Sequence, residues 1–429
     1  MRGDRASRPA GDSAYGRGAK VLSAGIASTG LVTFAYFSVA SHVLGDDEYA
    51  AISLLWSVLF VTVTVLYRPI EQLLSRTIAD RRARGIDHDL PLRTPLLLQG
   101  GFALAFLVVA LALREPIRED LLGGSEALYR ILILAVLAYA ASYFARGWLA
   151  GHQRFALYGA LVFLEASSRL LFALAVAVGI AQGQTAVALG MAAAPLVSLV
   201  VVPLAFRRRP PAEGAARRRD DDLGIARGGR FALAVLAIMV AEQTLLNAAV
   251  LATELTAADA AAAGFVFNVL LIARAPLQLF QAVQGSLLPH LAGLEAGEDR
   301  AAAARAVRVT LLAIAGFAAA VALGLALVGP WAMELLFDDG ATYGRWGLAV
   351  VAVGMGLHLM AGTLNQAALA RDDAVRAALA WLVAAAAFVG WLLAPVIDDR
   401  LLRAEVGYAG AAGLLCAMLA LVYSVRREG

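Results

Sequence analysis

The chain has 429 residues, of which 61% are hydrophobic and 16% are charged, and its formal net charge is +3. A soluble domain usually carries about 25% charged residues, so this composition excludes an ordinary soluble enzyme and favours a membrane protein. The single cysteine, Cys416, excludes an intrachain disulfide and a cysteine metal cluster.

Twelve apolar blocks follow one another along the chain, and each is long enough to cross a hydrocarbon core of about 30 Å. The blocks lack the alternation of polar and apolar residues that barrel strands require, so each is predicted to be a helix. The predicted spans are 18–44, 49–72, 94–113, 126–148, 156–180, 184–206, 230–253, 258–285, 306–329, 342–369, 374–396 and 404–425.

The basic residues give these spans an orientation. Of the 36 Lys and Arg residues, 27 lie in the N-terminal tail or at one set of span ends, 6 lie at the opposite ends and 3 lie within spans. The positive-inside rule therefore predicts a multi-pass bacterial inner-membrane protein with both termini in the cytoplasm. Because the basic residues lie at the ends of spans, we expect them to contact membrane lipids rather than a nucleic acid.

The longest polar connection, 207–229, divides the chain near its midpoint. It predicts two six-helix lobes, joined by a cytoplasmic linker and flanked by short cytoplasmic tails. The predicted segments are the tail 1–17, the N-lobe 18–206, the linker 207–229, the C-lobe 230–425 and the tail 426–429.

A short motif recurs in the two halves. The pattern Pro-x3-acid-Leu-Leu-x6-Tyr runs from Pro116 to Tyr129 and again from Pro330 to Tyr343, an offset of 214 residues. With six spans in each lobe, the lobes share one orientation, so the repeat is parallel. Transporters of this design bind substrate between their halves and work by alternating access.

Several motifs resemble those of the polysaccharide transporter, or oligosaccharide flippase, family. They are Leu44–Tyr49 (LGDDEY), Gly147–Arg154 (GWLAGHQR), the Glu165 to Arg169 spacing, Glu334–Phe337 (ELLF), and Asn365–Arg371 (NQAALAR). The resemblance covers nearly the whole chain. It implies the fold of multidrug and toxin extruders, in which two six-helix bundles form a V around a central cavity.

The same resemblance implies that the chain moves a lipid-linked oligosaccharide from the cytoplasmic to the outer leaflet for cell-surface polysaccharide biosynthesis. Glycan-assembly enzymes are then the expected partners. The chain itself is expected to have no catalytic residue, no metal and no cofactor. The first alternative is a proton- or sodium-coupled exporter of small organic cations on the same fold. The second is a non-transporting membrane scaffold or a glycan polymerase.

Charged residues within spans are the candidate substrate-binding groups, because each costs about 2.5–3.5 kcal/mol at mid-membrane. Arg169 lies halfway along the fifth span, and its planar guanidinium suits diphosphate oxygens. Glu165 lies one turn before it on the same helical face. We predict that Glu165 holds Arg169 until a substrate anion competes, or that the pair only joins two helices.

The eighth span carries a polar stripe that cannot face lipid. Its members are Arg274, Gln278 and Gln281. Asn268 precedes Arg274 in the same span and lies on another face. We predict that the stripe lines the cavity or bonds to neighbouring helices.

The seventh span carries a candidate coupling site for an ion. It consists of Glu242, Gln243 and Asn247, of which the last two share a face. A buried Glu suits a proton or sodium relay. Glu242 could equally be the partner of Arg274.

Three further polar residues complete the candidate set. Arg68 lies near one end of the second span, where it could bind substrate or extend to the interface. His358 and Asn365 of the tenth span are predicted to line the cavity or to pack through hydrogen bonds.

Overall fold

The computed structural model describes residues 28–85, 92–206, 224–256, 286–297, 299–336, 345–394 and 396–425. All regular structure within these ranges is helical. The helices are α1 (28–43), α2 (Asp46–Ala83), α3 (Arg93–Ala112), α4 (Arg114–Pro116, continued by a π turn), α5 (Glu126–Gly151), α6 (Phe155–Ala177), α7 (Gly183–Ser198), α8 (Val202–Phe206), α9 (Ile225–Thr256), α10 (286–296), α11 (Arg300–Leu336), α12 (Arg345–Ala370), α13 (Ala374–Leu393) and α14 (Arg400–Val425).

Ten stretches of the described chain are long and apolar enough to cross a membrane, namely α2, α3, α5, α6, α7 with α8, α9, and α11 to α14. Each coincides with one predicted span. Large apolar side chains point outward from them, as at Leu312, which is 66% exposed. The prediction of an all-α membrane fold is thereby confirmed. The eighth span and the two tails lie outside the described residues, as do most of the predicted linker and the beginning of the first span.

Helix α2 is longer than its predicted span of 49–72, because it continues to Ala83. The prediction ended where charged residues become frequent, and Pro69 lies inside the helix without ending it. The extra turns pack closely on the end of α5. Leu73, Leu74 and Ile78 are buried, and a Cβ on Gly151 of α5 would lie 2.7 Å from Ile78 Cβ.

The chain forms two compact units, Met1–Ala232 and Leu233–Gly429, here called unit 1 and unit 2. A similar helix–turn–helix occurs in both. Helices α5 and α12 each have 26 residues. Each is followed by a turn with a residue at positive φ, Gln153 (55°) in unit 1 and Asp372 (67°) in unit 2. Glu126 and Arg345, the first residues of these helices, are 219 positions apart, five more than the 214-residue offset of the sequence motif.

Glycines allow two close helix contacts in unit 1. A Cβ on Gly147 of α5 would lie 2.8 Å from the backbone oxygen of Glu71 on α2. A Cβ on Gly190 of α7 would lie 2.8 Å from the Cβ of Phe172 on α6. Because only glycine fits at such separations, α2 packs tightly on α5 and α6 on α7. These contacts fix the positions of the polar side chains buried between the helices.

Candidate functional site

A buried carboxylate lies among three helices of unit 1. Glu165 of α6 accepts hydrogen bonds from Ser142 Oγ and Arg146 Nη2, both on α5. Ser198 Oγ at the end of α7 lies 3.4 Å from Glu165 Oε1 but donates its single proton to the backbone oxygen of Pro195 at 2.8 Å. The Arg146 guanidinium also lies 4.6 Å from the ring centroid of Tyr143. Glu165 is therefore held by one cation and one hydroxyl, both of which join α6 to α5.

Arg169 lies one turn further along α6 in a mainly aromatic environment. Its Nη1 donates to the hydroxyl of Tyr139 at 2.7 Å. Its guanidinium carbon is 4.9 Å from the ring centroid of Trp56 and 5.3 Å from that of Phe60. The Arg169 side chain is buried, and its Nε has no hydrogen-bond partner. Within the described part of the chain, no carboxylate forms an ion pair with it.

The predicted pair between Glu165 and Arg169 is therefore wrong. Spacing by four residues puts the two side chains on one face, but an interhelical partner supplies the stronger contact. Arg146 reaches Glu165 from α5 and neutralises it. Arg169 turns instead to Tyr139 and the aromatic rings of α2.

Arg68 belongs to a second polar group on α2. Its Nη1 lies 3.4 Å from Glu71 Oε2, and its side chain is 15% exposed. The other carboxylate oxygen of Glu71 accepts a hydrogen bond of 2.8 Å from the hydroxyl of Tyr158 on α6. Arg68 is thus mostly buried, and the Glu71 carboxylate beside it contacts both Arg68 and Tyr158.

In unit 2, two candidate residues from different helices meet. His358 Nε2 of α12 is 3.7 Å from Glu242 Oε1 of α9. Neither ring nitrogen of His358 forms a hydrogen bond. The imidazole stacks on Tyr408 at 6.1 Å between centroids and meets Trp381 edge-on at 5.4 Å.

The other candidates in unit 2 have local partners. Asn365 Oδ1 accepts a hydrogen bond of 3.1 Å from the indole N–H of Trp381, which agrees with the packing alternative. Asn247 Nδ2 donates to the backbone oxygen of Gln243 at 2.8 Å and to its side-chain oxygen at 3.3 Å. These two residues share a face of α9, as the sequence predicted.

The stripe of the eighth span falls outside the described residues. Arg274, Gln278, Gln281 and Asn268 all belong to it. Its predicted role in lining a cavity, and the alternative pairing of Arg274 with Glu242, remain predictions.

Sequence reasoning missed Arg146, which was counted with the basic residues at the cytoplasmic ends of spans. The structure buries it inside α5, where it neutralises Glu165. A signal was present, because Tyr139, Ser142, Tyr143 and Arg146 recur at intervals of three and four residues. That spacing forms a polar stripe on one helix face.

The described guanidiniums of unit 1 that lie inside the helix bundle differ in their partners. Arg68 faces Glu71, and Arg146 faces Glu165. The fully buried charges among the described residues of unit 1 are Glu71, Glu165, Arg146 and Arg169, two of each sign. Arg169 differs from the others because no described carboxylate forms an ion pair with it, and a buried charge without a partner is costly.

Solved structures identify the fold as that of MATE transporters of the MOP superfamily. The chain matches a point mutant of the Vibrio cholerae MATE transporter VcmN with a TM-score of 0.78 and 15% identity, over 97% of each chain. It matches a multidrug resistance MATE family transporter of the MOP superfamily, in the outward-facing conformation, with a TM-score of 0.73 and 14% identity, again over 97% of each chain.

A third similar structure is a MOP superfamily transporter from Pyrococcus furiosus, with a TM-score of 0.78 and 14% identity over 97% of this chain and 95% of that one. Its description says that the reverse polarity of its binding pocket suggests a different function. No protein-family model matches the sequence, and no curated protein matches it. Membership of the oligosaccharide flippase family therefore remains a prediction from the sequence motifs.

Proposed function

We propose that the chain is a transporter of an anionic, lipid-linked substrate, and specifically that it flips a diphosphate-linked oligosaccharide from the cytoplasmic to the outer leaflet by alternating access between its two lobes. The observation that carries this proposal is Arg169, a buried guanidinium that no carboxylate of the described residues pairs with. Glycan-assembly enzymes at the cytoplasmic face of a bacterial inner membrane would supply the substrate.

The surroundings of Arg169 suit an anionic oxygen. Its Nε is an unsatisfied donor, and the buried hydroxyl of Tyr36 also lacks a partner. Both side chains contact Trp56, which stacks on Tyr36 at 5.5 Å between centroids. A phosphate oxygen beside Trp56 would accept from the Arg169 Nε and pair with the charge of its guanidinium. A charge-assisted bond of this kind contributes about 1.5–3 kcal/mol.

Export of organic cations is the second candidate function, favoured by the likeness to a multidrug resistance MATE transporter. Aromatic rings are the groups that bind such cations. In unit 1, however, Arg169 already covers the faces of Trp56 and Phe60 and would repel a second cation. The Pyrococcus furiosus transporter supports the view that this fold tolerates pockets of different polarity. Nothing in the described chain favours a scaffold or a polymerase.

The test uses the full chain in lipid vesicles that contain a polyprenyl-diphosphate-linked oligosaccharide with a fluorescent sugar. A membrane-impermeant reductant bleaches the label in the outer leaflet, so flipping appears as bleaching beyond that fraction. We expect the wild type to flip the lipid and Arg169→Ala to flip it about 10- to 150-fold more slowly. That factor corresponds to the free energy of one charge-assisted hydrogen bond.

The matched control is Arg130→Ala, which removes an arginine that is 75% exposed on α5 and should not affect flipping. A parallel measurement follows the uptake of tetraphenylphosphonium. If the wild type transports tetraphenylphosphonium and leaves the labelled lipid in place, the chain is a cation exporter and the flippase proposal is wrong.

A further inference from the structure

A second sequence motif recurs in the two units, and this one lies on their surfaces. The pattern Arg-x2-Leu-Leu-x3-Gly-Phe-Ala-x-Ala runs from Arg93 to Ala105 in α3 and from Arg308 to Ala320 in α11. The offset of 215 residues is one more than the 214 of the motif that begins at Pro116. Helices α3 and α11 therefore occupy corresponding places in the repeat. They are also the two least buried of the ten described spans.

The two copies of the motif turn the same face outward. Gln99 of α3 and Ile314 of α11 correspond to each other, and both are buried within their own unit. Leu97 and Leu312 also correspond, and both are more than half exposed. The motif thus presents the same residues at the surface of each unit.

Residues inside the units have changed more than this surface. At the 219-residue offset of α5 and α12, Arg146 corresponds to Asn365. Arg146 pairs with Glu165 in unit 1, whereas Asn365 accepts a hydrogen bond from Trp381 in unit 2. Packing within a unit does not require exposed residues to be alike. Their likeness on α3 and α11 favours contact with one kind of partner outside each unit.

The first residue of the motif has the charge that an anionic lipid headgroup requires. Arg93 and Arg308 are exposed, at the ends of their spans that the positive-inside rule assigns to the cytoplasm. Neither forms an ion pair or a hydrogen bond with any described residue. A guanidinium binds phosphate oxygens through parallel hydrogen bonds, and the anionic lipids of the cytoplasmic leaflet present phosphate at this level.

Below each arginine, the helix surface leaves room for an acyl chain. Gly101 and Gly316 come eight residues after the arginines, which is about 12 Å along a helix. A Cβ on either glycine would meet nothing within 4 Å. The exposed side chains of Leu97 and Leu312 lie between the arginine and the glycine. One lipid can therefore place its phosphate on the arginine and an acyl chain along the leucine and the glycine.

A second copy of the chain fits this face poorly. Copies in one membrane share an orientation, so α3 or α11 of one copy would meet the same face of another copy at the same depth. Arg93 and Arg308 would then face like charges across the interface, which is unfavourable. A negatively charged lipid has the opposite, complementary charge.

We propose that each unit binds one anionic phospholipid of the cytoplasmic leaflet on this face, through Arg93 in unit 1 and Arg308 in unit 2. The two lipids hold the corresponding helices of both units at one depth in that leaflet. No covalent bond is made or broken. The inference does not depend on the proposed function, because the motif lies on the exposed faces of α3 and α11 and does not include the Arg169 site.

The test counts lipids bound to the full chain by native mass spectrometry. The chain is purified in detergent and mixed with phosphatidylglycerol or with phosphatidylcholine that has the same acyl chains. We expect the wild type to retain two phosphatidylglycerol molecules in preference to phosphatidylcholine. Arg93→Gln and Arg308→Gln should each weaken one site about fivefold, which corresponds to the attraction of one basic residue for an anionic lipid surface. The double variant should lose the preference at both sites.

Two controls are matched to the charge and to the glycine. Arg84→Gln removes an exposed arginine at the same end of α2 that is already paired with Asp80, and it should bind lipid like the wild type. Gly101→Leu and Gly316→Leu fill the room for the acyl chain and should weaken the binding of both lipids. Gly324→Leu should not, because Gly324 also has open space around its Cβ but lies outside the motif.

Equal retention of the two lipids by the wild type overturns the proposal, and that comparison does not depend on the folding of any variant. A loss in Arg84→Gln as large as that in Arg93→Gln also overturns it. Displacement of both lipids by the polyprenyl-diphosphate-linked oligosaccharide would make the substrate the occupant. A dimer that dissociates in Gly316→Leu would make a second copy the occupant. Either result refutes the assignment to a phospholipid.

Discussion

Removing one partner of the ion pair between Arg146 and Glu165 should strongly destabilise unit 1. Both groups are buried, and Glu165 Oε2 is the carboxylate oxygen that Arg146 contacts. In Arg146→Met, the carboxylate keeps Ser142 as a donor but loses the one cation that pairs with it among the described residues. An uncompensated buried charge of this kind costs about 3–5 kcal/mol. Glu165→Gln should cost a similar amount, because it leaves the guanidinium buried without an anion.

The double variant Arg146→Met with Glu165→Gln distinguishes this reasoning from general damage to packing. Replacing both members of a buried pair is often nearly neutral, so the double variant should be more stable than either single variant. The measurement is the free energy of unfolding of the purified chain in mixed micelles, in a double-mutant cycle. If the two single effects add to within about 0.5 kcal/mol, the residues are not coupled and the assigned pair is wrong.

Two further predictions concern packing, each checked by the same unfolding measurement. Gly190→Ala should destabilise the chain by about 1–3 kcal/mol, because its Cβ would lie 2.8 Å from Phe172 Cβ. Gly316→Ala, with open space around its Cβ, is the control and should be neutral or stabilising. An equal loss in both variants would contradict the close contact. Trp381→Phe should cost about 1–3 kcal/mol by leaving Asn365 Oδ1 unsatisfied, and adding Asn365→Leu should restore most of that loss. A double variant as unstable as Trp381→Phe alone would refute this explanation.

The ten described spans could be predicted because their signal is local and additive. In lipid, a run of about twenty apolar residues forms a membrane-spanning helix, largely independently of what the run packs against. The ends were less predictable. Helix α2 runs to Ala83, and Leu74 and Ile78 in its extra turns pack closely on α5; hydropathy does not record such contacts.

Candidate polar residues could be chosen from the sequence, but their contacts could not. Arg169, Glu165, Glu242 and His358 were all recognisable, because a charge or an imidazole within a span demands a reason. Their partners were not. Glu165 was assigned to Arg169 by helical spacing, although its cation is Arg146 from another helix.

The sequence by itself determined that this chain is an all-helical membrane protein. Composition and the length of the apolar blocks are local properties, and they are enough to predict membrane-spanning helices. Only the tertiary structure decided which polar groups meet. Among the described residues, Arg146 neutralises Glu165, Arg169 has no carboxylate partner, and Glu242 lies beside His358. Such pairings depend on the rotation and separation of neighbouring helices, which small residues such as Gly147 and Gly190 set to within an ångström. The interaction energy of two charges depends on the distance between them. That distance between two helices cannot be read from the spacing of residues along the sequence.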